Sequence, residues 1–201
     1  SPFTYIISDE SGKINYTIIG QTNIGDTITL NKGIVQQALA MEGAIQDFMV
    51  GGSSIVKLEN LDSNLRLYFN EKNVAENGIF VSNLNSSGKF NPNDVQNWIK
   101  VDNLASTEST QKCYKFGVLP NSNTCYIQFS PNINRDIADG IAIKYLVSNG
   151  ETGRISANTL TGFTGDVTAG EKKLTLKVSN PSSSIGGYNP QDLEDAYSDY
   201  K

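Results

Sequence analysis

Short segments that alternate apolar and polar side chains recur along this chain, and clusters of turn-forming residues separate them. "FTYIISD" (residues 3–9) and "KINYTIIG" (residues 13–20) flank the turn Glu10-Ser11-Gly12 and together read as a hairpin. A period of two places alternate side chains on opposite faces of a strand, and Gly, Asn, Asp and Ser favour the intervening turns. The pattern predicts a mainly β fold with antiparallel, sandwich-like sheets, and an α+β fold is the alternative.

The same pattern extends through most of the chain. Further strands are predicted over residues 26–33, 54–60, 65–70, 78–84 and 172–180, on both sides of the turn 119–123, and twice within 140–163. Part of the segment 34–50 is expected to be extended. A short helix is predicted over 91–101, because Pro92 suits a first helical position and Val95, Trp98 and Ile99 share a face.

The last residues have a different character. "SNPSSSIGG" (residues 179–187) has the composition of a linker, whereas Pro190 and the acidic residues after it are typical of a helix start. Leu193, Tyr197 and Tyr200 then fall on one face of a helix that is too short to be stable alone. We therefore expect a β-rich domain over 1–188, with a possible inserted lobe at about 53–130. Residues 189–201 would begin a helical region that continues in a longer polypeptide, with Leu193, Tyr197 and Tyr200 as its candidate interface.

The charge of the chain limits its partners. The formal net charge is −5, and Lys and Arg are scattered rather than clustered. Nucleic acid and anionic membranes are bound by concentrated positive charge, so neither is an expected partner. No window approaches the 18 apolar residues that would indicate a membrane-spanning helix.

The sequence offers little for catalysis. It contains no histidine, and its acidic pairs lie in turn or helix-start segments: Asp9/Glu10, Asp136/Asp139 and Asp192/Glu194/Asp195. Residues 91–97 and 130–140 resemble calcium-binding loops only in part, because neither has the spacing and closing Glu of such a loop. We predict no catalytic residue, no metal and no cofactor.

Two cysteines, Cys113 and Cys125, lie on either side of the turn 119–123. A hairpin could make them neighbours and allow a disulfide. The alternative, which we favour, is that they are two small apolar side chains on a sheet face. We predict that both are reduced.

Two stretches together resemble a known family. They are "CYIQFSPNINRDIADGIAIKYLVSNGETGRISANTL" (residues 125–160) and "VSNPSSSIGGYNPQDLEDAYSDY" (residues 178–200). The resemblance rests on four groups of residues. They are the I-x-F of Ile127-Gln128-Phe129, then Gly140, Ile143 and Tyr145, then Gly150, Gly153 and Ile155, and finally Asn180, Pro181, Gly186, Gly187 and Pro190. In order and spacing they resemble the baseplate J-like family, which includes the baseplate wedge proteins of contractile-tailed phages. Two positions depart from the family pattern: Gln191 replaces an acidic residue, and Ser-Pro-Asn follows the I-x-F.

The resemblance implies a structural fragment of a phage baseplate wedge. Its partners would be other wedge subunits, including copies of itself, in a virion assembled in the host cytoplasm. The alternative is a carbohydrate-binding or adhesin-type β-sandwich in which Trp98, the tyrosines and Asn-rich loops form the site. That alternative predicts aromatic side chains side by side on an exposed surface. A carboxylate-dependent glycosidase would need two acids facing each other across a cleft.

Overall fold

Strands form most of the regular structure of this protein. A computed structural model describes residues 6–11, 14–21, 38–106, 111–120, 122–133, 139–164, 168–169, 171–173 and 178–187. Strands account for 43% of the described residues and helical turns for 11%, and no helix of seven or more residues occurs within these ranges. The prediction of a mainly β, sandwich-like fold is confirmed.

The strands run in chain order as β1 (Ile6–Asp9), β2 (Asn15–Gln21), β3 (Ala38–Glu42), β4 (Ala44–Asp47), β5 (Arg66–Tyr68), β6 (Val74–Asn83), β7 (Trp98–Lys100), β8 (Lys112–Val118), β9 (Cys125–Phe129), β10 (Ile141–Val147), β11 (Leu160–Thr164), β12 (Thr168–Ala169) and β13 (Lys172–Lys173). Single 3-10 turns occur at Leu58–Asn60, Val95–Asn97, Leu104–Ser106, Pro131–Ile133 and Gly150–Gly153.

The chain divides into two units. Unit 1 comprises Ser1–Ile45 and Ser148–Lys201, and unit 2 comprises the intervening residues Gln46–Val147. Unit 2 is therefore inserted within unit 1 in the sequence, and its range is wider on both sides than the lobe at about 53–130. The boundary falls within β4, after Ile45.

Unit 2 is built from two sheets that share one core. The first has the strand order β4–β10–β6, and the second has the order β5–β9–β8–β7. In unit 2, β10 pairs with β6, β5 with β9 and β8 with β9 in antiparallel register, whereas β7 and β8 are parallel. Side chains from both sheets meet in the core, which consists of Phe48, Val56, Leu67, Phe69, Val74, Ile79, Val81, Trp98, Tyr114, Cys125, Ile127, Phe129, Ile133, Ile141, Ile143 and Tyr145. The Tyr114 hydroxyl of β8 donates to the Ile79 carbonyl of β6 at 3.0 Å and so links the two sheets.

Unit 1 contains the four-stranded antiparallel sheet β11–β1–β2–β3 and the short pair β12–β13. The pairing of β1 with β2 confirms the hairpin predicted around residues 10–12. The described core of unit 1 is small, with Ile7, Tyr16 and Leu160 buried together. Glu42 reinforces it, since its carboxylate accepts from Ser148 Oγ (2.7 Å) and from the backbone N–H and side-chain Nδ2 of Asn149 (2.9 and 2.7 Å).

Two predicted elements are wrong. The helix over 91–101 is a 3-10 turn at Val95–Asn97 followed directly by strand β7. The register of β7 with β8 explains this, because pairing Ile99 with Cys113 requires an extended backbone. The strand over 54–60 is also wrong. Only Val56 pairs there, through its N–H and C=O with Ile141 (2.9 Å each), and Leu58–Asn60 forms a 3-10 turn.

Other predictions have mixed outcomes. Residues 34–50 contain two strands, β3 and β4, separated by Gly43 with a φ of 128°. The prediction that part of this segment is extended is thus confirmed. The predicted strand over 26–33, the central part of 172–180 and the predicted helix at 189–201 lie outside the described residues.

Candidate functional site

The outward face of the β5–β9–β8–β7 sheet carries a compact group of polar and aromatic side chains. Burial alternates along β9, where Cys125, Ile127 and Phe129 are buried while Tyr126 and Gln128 are half-buried on the other face. Strand β5 alternates in the same way, with Leu67 inward and Arg66 and Tyr68 outward. Cross-strand register then places these outward residues together, with Arg66 opposite Gln128 and Tyr68 opposite Tyr126. We call Arg66, Tyr68, Gly117, Tyr126 and Gln128 the tyrosine–arginine patch.

The ring of Tyr126 is held by the strands on either side of it. Gly117 of β8 lies opposite Tyr126 in the register, and a Cβ at Gly117 would collide with the tyrosine ring. From β5, the guanidinium carbon of Arg66 stands 4.8 Å from the centroid of the same ring. The ring of Tyr68 lies 5.9 Å away with an interplanar angle of 51°. The absence of a side chain at Gly117 therefore allows Tyr126 to pack closely on the sheet, with Arg66 over its ring.

Asp62 orients the other tyrosine. Its Oδ2 accepts from the Tyr68 hydroxyl at 2.8 Å, and its Oδ1 accepts from the backbone N–H groups of Asn64 (2.8 Å) and Arg66 (2.9 Å). The Asp62 carboxylate therefore holds both the loop that leads into β5 and the hydroxyl of Tyr68. Gln128 is held similarly, since its Nε2 donates to the Asn64 carbonyl at 3.1 Å.

The electrostatics of the patch favour its charged forms. Desolvation alone would raise the pKa of Asp62, but the hydrogen bonds from Arg66, Tyr68 and Asn64 outweigh it and lower that pKa. The pKa of Arg66 is raised, mainly by its hydrogen bond with the Tyr68 side chain, against an opposing desolvation effect. The Nε of Arg66 is buried and is one of two described buried side-chain atoms with no hydrogen-bond partner. Its guanidinium carbon lies over the Tyr126 ring.

This arrangement suits contact rather than proton transfer. Tyrosine and arginine are the side chains that most often dominate the binding energy of protein interfaces, because they combine a large apolar body with polar tips. Here both tyrosines and the arginine are positioned by Asp62 and Gly117 before any partner arrives. A preorganised group of this kind loses little rotamer freedom on binding.

The residues of the predicted candidate interface lie in a part of the chain that the structure does not describe. Leu193, Tyr197 and Tyr200 lie outside the described residues, as do Asp136, Asp192, Glu194 and Asp195. Glu10 is exposed in the turn between β1 and β2, and Asp139 is exposed just before β10. Throughout the described ranges, no group of three or more His, Cys, Asp or Glu side chains could hold a metal ion.

The loop 91–97, considered above as a partial calcium loop, uses its acidic residue in the fold. Asp94 Oδ2 accepts from the Asn83 backbone N–H (2.7 Å) and from Trp98 Nε1 (3.1 Å), and its Oδ1 accepts from Asn97 Nδ2 (2.7 Å). These bonds tie the loop to β6. Trp98 itself is buried in the core of unit 2, 6.0 Å from the Phe129 ring centroid, so it lines no surface site.

The two cysteines are not neighbours, although they do lie on one hairpin. Val118 is the strand partner of Cys125, and Tyr114 is the partner of Phe129. Cys113 therefore lies five positions before the partner of Cys125 on β8. At about 3.4 Å per residue that offset is about 17 Å, whereas a disulfide needs Cα atoms within about 7 Å. Their side chains also fall on opposite faces of the sheet. Both are buried free thiols, and burial raises the pKa of each.

The residues of the patch were missed by sequence reasoning, although a signal for them exists. "LRLYFN" and "CYIQF" each place two polar or aromatic residues at i and i+2 between buried apolar ones. That spacing assigns Arg66/Tyr68 and Tyr126/Gln128 each to one face of a strand. It does not say that the two strands are adjacent, and they are almost 60 residues apart in the chain.

Comparison with known proteins gives no assignment. The chain matches no family model, and no curated protein and no solved structure is significantly similar to it. Among the described residues, no helix is long and apolar enough to cross a membrane.

Proposed function

We propose that this chain is a structural subunit of the baseplate wedge of a contractile-tailed phage, and that its tyrosine–arginine patch contacts a neighbouring subunit. The patch is the observation that carries the assembly role. It presents two tyrosines and an arginine, already oriented, on the outward face of a sheet whose other face forms the core. The resemblance to the baseplate J-like family supplies the kind of assembly.

The residues that carry the resemblance have framework roles, which supports this proposal. Ile127 and Phe129 of the I-x-F segment are buried in the core of unit 2, as are Ile143 and Tyr145. Gly140 has a φ of 95°, a backbone conformation that residues other than glycine rarely adopt. Residues that specify a scaffold are consistent with a structural subunit.

The described carboxylates with well-defined partners support it further. Glu42, Asp62 and Asp94 each accept three hydrogen bonds that fix a loop or turn of their own unit. An acid that already accepts three structural hydrogen bonds is a poor general base, because most of its lone pairs are occupied.

The carbohydrate-binding alternative is favoured by one observation, the adjacency of Tyr68 and Tyr126 on an outward face. Stacking of a sugar requires an open ring face. The ring of Tyr126 is in contact with Gly117 and Arg66 from both neighbouring strands, and the two rings are tilted by 51° rather than coplanar. The geometry therefore supports a protein contact better than a sugar platform.

The assembly role is tested in the phage that encodes the chain. The protein should be present in gradient-purified particles at a constant copy number, and a nonsense mutation in its gene should yield particles without functional tails. Its absence from purified particles would refute the baseplate assignment. Complementation with Arg66→Glu or Tyr126→Ala should restore few tails, because each removes part of the patch. Lys89→Ala is the matched control, since it removes an exposed positive charge of unit 2 away from the patch.

Folding and sugar binding are tested on the purified chain. Arg66→Glu should leave the fluorescence of Trp98 and the unfolding transition of unit 2 close to the parent, so that lost assembly is not lost folding. A glycan array and a titration with simple oligosaccharides should give no saturable binding. Saturable binding that Tyr126→Ala abolishes would favour the carbohydrate-binding alternative instead.

A further inference from the structure

Residues 178–187 have the composition of a flexible linker but are docked along their length. The segment contains Asn180-Pro181, three serines and Gly186-Gly187, and such Ser/Gly-rich sequences usually behave as random coils. In this protein the segment runs beside residues 154–160 of the same unit and bonds to them at three places. Val178 adds an apolar contact with the small core of unit 1.

Asn180 makes the first attachment and uses every hydrogen-bonding position of its side chain. Its Oδ1 accepts from the backbone N–H groups of Thr159 and Leu160, both at 2.9 Å. Its Nδ2 donates to the carbonyls of Ser156 (2.8 Å) and Ser182 (3.0 Å). An amide has two acceptor and two donor positions, so the side chain is saturated.

The backbone of Asn180 contributes as well. Its carbonyl accepts from the Asn158 N–H at 2.7 Å. Asn158 has a φ of 60°, in the left-handed region that asparagine tolerates better than most residues. The loop 156–160 is therefore shaped around Asn180: three of its backbone N–H groups donate to this residue, and one of its carbonyls accepts from it.

The second and third attachments lie further along. Ser184 N–H donates to the Ile155 carbonyl (3.0 Å), and Ile155 N–H donates to Ser184 Oγ (2.9 Å). Arg154 Nε then donates to the Gly186 carbonyl at 2.8 Å. Gly187 passes so close to the backbone of residue 150 that a Cβ would lie 2.8 Å from the Gly150 oxygen. Between the second and third attachments Ile185 is 97% exposed, so the segment lies on the surface of unit 1 and is held by polar bonds rather than by burial.

From this geometry we propose that residues 178–187 are a docked strap, latched at Asn180, that holds this part of the chain along residues 154–160 and can be released as one segment. The strap is held mainly by polar bonds, so its release uncovers little apolar surface apart from the contact of Val178. When Asn180 is released, the bonds at Ser184 and Gly186 lose their alignment, and the strap detaches as one segment. This inference does not depend on the proposed function.

Amide exchange on the full chain tests the strap. In the parent protein, the amides of Asn158, Thr159, Leu160 and Ser184 should be protected. Asn180→Ala should accelerate their exchange by about tenfold or more, because it removes four side-chain hydrogen bonds, while β6 and β10 in unit 2 remain unchanged. Asn180→Asp should fall between the two, because it keeps the acceptor and loses both donors. Ser183→Ala, at an exposed strap position, is the matched control and should have no effect.

A second variant keeps the test decisive if Asn180→Ala unfolds unit 1. Arg154→Met removes the donor to Gly186 and retains an apolar stem of similar length. It should accelerate exchange at Ser184 and leave Thr159 and Leu160 protected, since their acceptor is intact. The strap is refuted if these amides exchange in the parent at the rate of an unstructured peptide. It is also refuted if neither Asn180→Ala nor Arg154→Met changes their exchange.

Discussion

The two units hold their sheets together by different means. Unit 2 encloses a large core to which both of its sheets contribute, with Phe69 and Tyr145 at a centroid distance of 4.8 Å near its centre. The described part of unit 1 has a core of three buried side chains and relies on two polar residues that each make several hydrogen bonds, Glu42 and Asn180. Apolar burial is strong and non-directional, whereas a hydrogen bond contributes little net free energy but fixes geometry. Within the described residues, unit 2 is thus held mainly by apolar burial, whereas unit 1 depends on the geometry of particular polar residues.

Each unit nevertheless contains a buried tyrosine whose hydroxyl donates to a backbone carbonyl. Tyr114 of unit 2 donates to the Ile79 carbonyl at 3.0 Å, and Tyr16 of unit 1 donates to the Gly153 carbonyl at 2.8 Å. Desolvation raises the pKa of both, that of Tyr114 to about 12. The pair allows one substitution, Tyr to Phe, to be compared in two different surroundings.

The largest expected effect is in the core of unit 2. Phe129→Ala removes a fully buried ring that packs against Trp98, and it should lower the free energy of unfolding by about 3–5 kcal/mol. Denaturant unfolding followed by the fluorescence of Trp98, the single tryptophan, reports on unit 2. Ile99→Ala, at an exposed position of the same sheet, should change it by less than about 0.5 kcal/mol. A loss below about 1 kcal/mol for Phe129→Ala would contradict the assigned core.

The next effect is in unit 1. Glu42→Ala removes the carboxylate that holds Ser148 and Asn149, and it should destabilise unit 1 by about 1–2 kcal/mol, since the network is partly exposed to water. Amide exchange in β1 and β2 should accelerate, while the Trp98 transition stays unchanged. Glu171→Ala removes an exposed carboxylate of the same unit and serves as the control. Equal acceleration in both variants would show that charge, not the hydrogen bonds of Glu42, is responsible.

The tyrosine pair should give a smaller and more even effect. Tyr114→Phe and Tyr16→Phe each remove one buried hydrogen bond, and each should cost about 1 kcal/mol. Tyr114→Phe should shift the Trp98 transition, and Tyr16→Phe should appear only in the exchange of unit 1. If Tyr16→Phe shifts the Trp98 transition as much as Tyr114→Phe does, the two units do not unfold separately.

Acid should weaken unit 2 through its carboxylates. Desolvation raises the pKa of Asp94, but hydrogen bonds from Asn97, Asn83 and Trp98 outweigh it, and the net pKa lies below the ordinary 3.8. A carboxylate with a lowered folded pKa stabilises fully above its unfolded pKa, and that stability fades as the pH falls through the folded value. The unfolding free energy of unit 2 should therefore fall between about pH 5 and pH 2. Asp94→Asn should reduce this fall of the unfolding free energy with decreasing pH. An unchanged dependence on pH would contradict the role of Asp94.

The smallest effect concerns the two thiols, because here burial is measured through their reactivity and not through the stability of the fold. Cys113 and Cys125 are buried, and burial raises the pKa of both, so little thiolate is present near neutral pH. A thiol reagent should react slowly with the folded protein and find two free thiols once it is unfolded without reductant. Finding no thiol, with a mass two hydrogens lower, would mean that the hairpin register described for β8 and β9 is wrong.

Local pattern was enough to predict some elements and not others. The hairpin of β1 and β2 and the strand β10 follow from alternation or from a continuous apolar run bounded by turns. The helix expected over 91–101 has good local signals, including Pro92, but β8 offers Ile99 a strand partner and Asp94 offers the loop a ring of hydrogen bonds. The strand partner β8 and Asn83, which donates to Asp94, both lie outside the segment 91–101, so no local pattern contains them. For the same reason the sequence could not show that the cysteines are offset by five positions.

The sequence by itself determined that this protein is mainly β, because alternation and turn chemistry act over a few neighbouring residues. Only the tertiary structure decided which strands are neighbours. That choice brings Tyr68 beside Tyr126 and turns a Ser/Gly-rich linker into a docked strap. The first depends on the pairing of β5 with β9 and on the space that Gly117 leaves, and the second depends on the hydrogen bonds of Asn180. Their geometry exists only once the chain has folded.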